Sequence, residues 1–140
     1  MKRIVQVVHD FLPSYPYGTE NYTYHLSRQL QKTNEVYVFC REGKDFFGKE
    51  ISKDELFDGL PVRRLYHNPP PDIVHFQHLV QLSASMIEVA KRRGIPTILT
   101  LHDFWFLCPQ VQLLTNDNQI CYGPELKVKC ANCEKIFPVS

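Results

Sequence analysis

The run "PTILTLHDFWFLCP", residues 96–109, decides how this chain is read. Thr97 to Leu101 is a short apolar, partly β-branched stretch behind a proline, the pattern of a buried strand. It stops at an ionisable pair, His102-Asp103, followed by three aromatics, among them the chain's single tryptophan. Ionisable residues where a buried strand ends suggest a sheet whose strand termini carry the chemistry.

Working outward, the same grammar recurs. Arg3 to Val8 is a β-branched run that ends at His9-Asp10, and "PPPDIVHF" leads into a strand over Ile73–Phe76 with His78 just beyond. "EVYVFC" (35–40) reads as another strand and "VRRLY" (62–66) as an edge strand. Thr19 to Lys32 reads as a helix, with Thr19 as its N-cap and Tyr22, Leu26 and Leu30 on one face. Ser83 to Arg93 reads as a second helix stopped by Gly94. Ser52 and Glu55 suggest a capping box for a short helix. The alternation of strand and helix argues for an α/β domain, a Rossmann-like, mostly parallel sheet with flanking helices. Arg3–Val8, Val36–Cys40, Ile73–Phe76 and Thr97–Leu101 are its expected core strands.

Ligands of such sheets sit outside the carboxyl ends of the strands. His9-Asp10, His78 and His102-Asp103 would then share one rim. A single histidine after a strand commonly satisfies backbone groups, whereas three on one rim read as a site.

Composition sets the bounds. The 140 residues are enough for one domain, 44% of them hydrophobic and 22% charged, as in a soluble globular protein. With a net charge of +1, nothing suggests a broad nucleic-acid footprint, and no nucleic-acid partner is expected. No stretch approaches a membrane span. Met1-Lys2-Arg3 and the apolar run behind it superficially suggest a signal peptide. That run is short, is broken by Gln6 and lacks a small-residue cleavage site, so a cytoplasmic chain is expected.

Cys40 falls in an expected strand and reads as an inert buried thiol. Cys108, Cys121, Cys130 and Cys133 lie within 26 residues, the last two as C-x2-C, with gaps of 12 and 8 residues between the others. Four thiolates can close a structural zinc site, with disulfides or an iron–sulfur cluster as alternatives. A reducing cytosol disfavours disulfides. Zinc would staple the segment 108–133, including a hairpin turning at Asn116 to Asn118.

The motifs together resemble the N-terminal, acceptor-side domain of retaining GT-B glycosyltransferases of family 4. The resemblance rests on "VVHDFLPSYPYGTENYTYHLSRQL" (7–30), "PDIVHFQHL" (71–79) and "ILTLHDFWFLCP" (98–109), completed by "GPELKVKCANC" (123–133). It spans nearly the whole chain in the family's motif order. The chain departs from the family in its first βα loop, where Tyr17 precedes a single Gly18 instead of paired glycines. The family's C-terminal domain, with its Glu-x7-Glu donor grip, is also lacking, so residues 1–140 read as an incomplete N-terminal half of a GT-B fold.

The resemblance implies a nucleotide-sugar donor as co-substrate and a glycan or lipid-linked acceptor. It implies His102 and Asp103 as catalytic, and Gly18, Thr19, Glu20, His9 and His78 as substrate-binding. Gly18 at a helix start would let backbone amides approach a diphosphate, where the helix dipole places roughly half a positive charge. Adjacent residues leaving a strand point opposite ways, which favours His102 toward the cleft and Asp103 as its support. Phe104, Trp105 and Phe106 are expected to pack on the core rather than stack on a sugar. Tyr15 and Tyr17 either line an acceptor channel or cover the sheet edge. Family members often act at the inner membrane face, which implies peripheral association, although no basic amphipathic helix is evident. The alternative is a non-catalytic α/β binding module with a zinc-stapled loop. A metal-dependent phosphohydrolase built on the His-Asp pairs ranks last, for want of clustered ligands.

Overall fold

The computed structural model describes residues 1–41, 54–63, 70–79, 82–108, 111–115, 117–123 and 130, and the backbone of 43–44 and 50–51. The chain divides into two compact units, Met1–Thr100 and Leu101–Ser140.

The first unit runs β1 (Arg3–Val7), α1 (Gly18–Leu30), β2 (Glu35–Phe39), β3 (Gly43–Lys44), β4 (Glu50–Ile51), β5 (Glu55–Phe57), β6 (Leu60–Arg63), β7 (Ile73–Phe76), α2 (Ser85–Arg92) and β8 (Thr97–Leu99). Six strands form one sheet in the order β5-β6-β2-β1-β7-β8, and β3 and β4 pair separately. β1 pairs parallel with both β2 and β7, β2 with β6, and β7 with β8. The four expected core strands are therefore all parallel, as the sequence indicates, but the last is not a buried core strand over Thr97–Leu101: β8 ends at Leu99, stands last in the sheet order and exposes Ile98 and Leu99. Only β5 runs antiparallel, against β6.

Strand alternation sorts the two faces. Ile4, Val8, Val36, Val38, Cys40, Leu60 and Val62 form a buried cluster with Phe11 and Leu12, and α1 contributes Tyr24 and Leu30 to it. On the opposite face, Val5, Val7, Val74 and Phe76 line an apolar cavity of about 240 Å³ with Met86, Val89 and Ala90 of α2. Helices thus flank the sheet on both sides. No helix among the described residues is long and apolar enough to cross a membrane.

Four further expectations are corrected. The residue before the first turn of α1 is Tyr17, with no side-chain cap, because the helix begins at Gly18, one residue ahead of Thr19. The buried stripe of α1 is Glu20, Thr23 and Ser27, while Tyr22 stays exposed. Small side chains let the helix approach the sheet, and the larger Tyr24 and Leu30 reach the core from beside that stripe. Glu55–Phe57 is a strand rather than a helix, and Ser52 lies outside the described residues. Asp58 and Gly59 adopt φ of 46° and 74°, which makes a two-residue hairpin between β5 and β6. That hairpin inserts β6 between β5 and β2, so the strand read as an edge is internal. The turn is held to α1, since the Tyr24 phenol donates to Asp58 at 2.6 Å and Gln31 to the Gly59 carbonyl at 3.2 Å. Its bond to Asp58 makes the Tyr24 phenol hold its proton more tightly than usual.

In the second unit, Leu114 and Ile120 form an antiparallel bridge around a turn in which Asn118 has φ 58°. This matches the expected hairpin, although Asn116 lies outside the described residues.

Candidate functional site

The parallel register brings the ends of β1, β2 and β7 to one edge, where the ladder runs on: Arg41 N donates to His9 O, and Gln77 N to Val7 O. His9 and Asp10 stand beyond β1, Arg41 beyond β2 and His78 beyond β7. Glu20, in the first turn of α1, reaches the same edge from the side.

These groups interact. The His9 and His78 rings lie 4.7 Å apart at a tilt of 48°. His9 Nε2 is 3.7 Å from both Asp10 Oδ2 and Glu20 Oε1. Arg41 grips Asp10 with two contacts, Nε to Oδ1 at 3.2 Å and Nη2 to Oδ2 at 3.3 Å. Glu20 is almost wholly buried, at 2% exposure. Burial pushes its carboxyl above the ordinary 4.5, and Asp10 adds to the rise. A hydrogen bond from its own backbone amide and the nearby His78 pull the other way. Arg41 was missed by the sequence reading, yet its position as the second residue past a parallel strand was the signal used for the histidines.

Beneath the edge runs a buried polar thread. Gln77 donates to Gln6 Oε1 at 2.8 Å, and the His75 ring lies within hydrogen-bond reach of both Gln77 and Thr100 Oγ1. Gln6, which interrupts the first apolar run, is fully buried in this thread. It ties β1 and β7 together.

Gly18 opens α1, and a Cβ added there would meet nothing within 4 Å. Thr19 O accepts a hydrogen bond from the Thr23 hydroxyl at 2.7 Å. Tyr17 is 59% exposed and Tyr15 half-buried.

His102 and Asp103 belong to the second unit. There Asp103 Oδ1 accepts from the Trp105 backbone amide at 2.8 Å, so this carboxylate caps its own turn. The turn closes through Leu107 N to Phe104 O. The expected core packing of the aromatic run is not met, because Phe104 and Phe106 are exposed. A turn this tight fans consecutive side chains outward in different directions. Trp105 is half-buried, edge-on to Phe106 at 4.8 Å.

Cys40 is fully buried, as expected. Cys108, Cys121 and Cys130 are half-buried free thiols, and Cys133 lies outside the described residues. Among the described residues, no three His, Cys, Asp or Glu side chains are placed to hold a metal ion.

The family model described as Glycosyltransferase Family 4 matches residues 16–127, well over half of the chain. No curated protein and no solved structure matches.

Proposed function

The chain belongs to Glycosyltransferase Family 4, and from that premise we propose that it is the acceptor-side domain of a retaining sugar transferase. It would serve transfer from a nucleotide-sugar donor to a glycan or lipid-linked acceptor. The observation that carries this reading is the polar cluster of His9, Asp10, Glu20, Arg41 and His78. It stands at the carboxyl edge of a parallel sheet, beside the start of α1. This is where α/β sheets bind ligands.

The chemistry suits the reaction. Retaining transfer needs a leaving phosphate stabilised while an acceptor hydroxyl is held on the same face of the sugar. Backbone amides at the first turn of α1 and the dipole behind them favour an anion there, and Gly18 leaves their approach open. Neutral imidazoles both donate and accept, which fits the paired roles of sugar hydroxyls. His102 is assigned to the reacting centre, with Asp103 in support. The donor's nucleotide and sugar are held by a second domain in this family, so transfer by residues 1–140 alone is not expected.

Transfer assays test this directly. The purified 140-residue chain should show no turnover with any nucleotide sugar, while a protein that joins it to a donor-binding domain should. In that protein His102→Ala should lower turnover about a hundredfold with the fold intact, the usual contribution of a positioned polar group. Turnover by the 140-residue chain alone would overturn the assignment of the donor site. A rate unchanged by His102→Ala would remove that histidine from the reacting centre. Acceptor glycan binding without transfer in any two-domain protein would support the binding-module alternative.

A further inference from the structure

We propose that Glu20 is a positioning residue whose carboxyl, buried beneath the sheet edge, fixes the Nε2 side of His9 and, through the contact between the rings, the presentation of His78. This deepens the transferase reading and rests on it for its meaning, though not for its first test.

The geometry separates Glu20 from its neighbour. Two carboxyl oxygens flank His9 Nε2, each at 3.7 Å. Asp10 is matched by Arg41 through two contacts, so its charge is already engaged on β2. Glu20 faces His9 from α1 instead, and at 2% exposure it cannot itself meet a ligand from solvent. Its influence on the edge therefore passes through another group. At 3.7 Å the contact is too long for a direct hydrogen bond, and the coupling is electrostatic. A neutral imidazole with two carboxyl oxygens on its Nε2 side keeps its proton on that nitrogen, because the N–H dipole then points at negative charge. The ring so held lies 4.7 Å from His78. Glu20 thus links the first turn of α1, where the phosphate-approach glycine stands, to the imidazoles at the ends of β1 and β7.

Long-range proton–nitrogen NMR of the folded chain reads imidazole tautomers site by site. Wild type should show His9 mainly as the Nε2–H form. Glu20→Ala should raise the Nδ1–H population by about threefold or more and move the His78 ring resonances. Glu20→Gln keeps the volume and an accepting oxygen but no charge, so it should fall between the two. Equal tautomer ratios in all three proteins would overturn the proposal. Should the alanine variant fail to fold, the comparison with Glu20→Gln decides: a shifted ratio supports the proposal and an unchanged one overturns it. In a transfer-competent two-domain protein, Glu20→Gln should lower kcat more than it raises KM. Failure of transfer there would count against the transferase reading and leave the tautomer result standing.

Discussion

A buried carboxyl beneath a polar edge has a thermodynamic signature as well as a geometric one. In the unfolded chain Glu20 titrates near its ordinary 4.5, and in the folded chain higher, chiefly because burial disfavours the charge. Below the unfolded value both states hold the proton and the group takes nothing from stability. As pH rises from there through the folded value, the folded state must give up a proton that it holds more tightly, and stability falls. Above the folded value the loss is complete. Glu20→Gln removes the loss, so it should raise Tm at neutral pH while losing that advantage at about pH 4. Thermal melts of both proteins across that range check this. An advantage that grew toward acid pH would mean that the folded-state carboxyl is depressed instead. Such a gain alongside lower turnover is what a strained functional group gives.

At the scale of the element, two glycines that look alike in sequence do different work. Gly59 has φ +74° in the Asp58-Gly59 turn, and a Cβ there would meet only Arg28 Nη1 at 3.5 Å, an ordinary contact. Gly59→Ala should therefore cost about 1–2 kcal/mol through the backbone alone. Gly18 has neither a left-handed backbone nor a neighbour within 4 Å. Gly18→Ala should stabilise α1, by about 0.5 kcal/mol. Denaturant melts of the pair should move in opposite directions, and the same sign for both would refute this account. A stabilising Gly18→Ala that also slows transfer would tie that glycine to ligand approach. The same hairpin shows where sequence reading falls short. "DG" between β-prone residues is a strong turn signal, yet Ser52 and Glu55 offered a competing capping box, and local spacing alone could not choose between them. In α1 the pattern of Tyr22, Leu26 and Leu30 was right at Leu30, which packs on the core, and wrong at Tyr22, which is exposed. A helix that packs by small polar residues carries no strong apolar period.

For the molecule as a whole, the parallel sheet was legible because each expected core strand is a short, mostly apolar run that ends at polar residues, even though Gln6 and His75 stand inside two of them. The edge cluster was legible for the same reason, since His9, Asp10 and His78 follow directly from where those runs stop. Arg41 carried the same positional signal and was overlooked, whereas the buried state of Glu20 was not legible, because it depends on α1 meeting the sheet in space. The sheet also explains how the isolated chain should behave. Strands of a parallel sheet are normally covered on both faces. Among the described residues β8 pairs only with β7, and it leaves Ile98 at 50% and Leu99 at 41% exposure. An apolar outer strand with unpaired amides and carbonyls is a template for pairing with another chain. The purified 140-residue chain should therefore self-associate as its concentration rises, as seen by sedimentation velocity. Ile98→Lys places a charge on that strand without touching the edge cluster, and should return the protein to monomer with its melting behaviour nearly unchanged. A wild-type chain that stays monomeric at high concentration would mean that the outer side of β8 is covered by the chain's own residues.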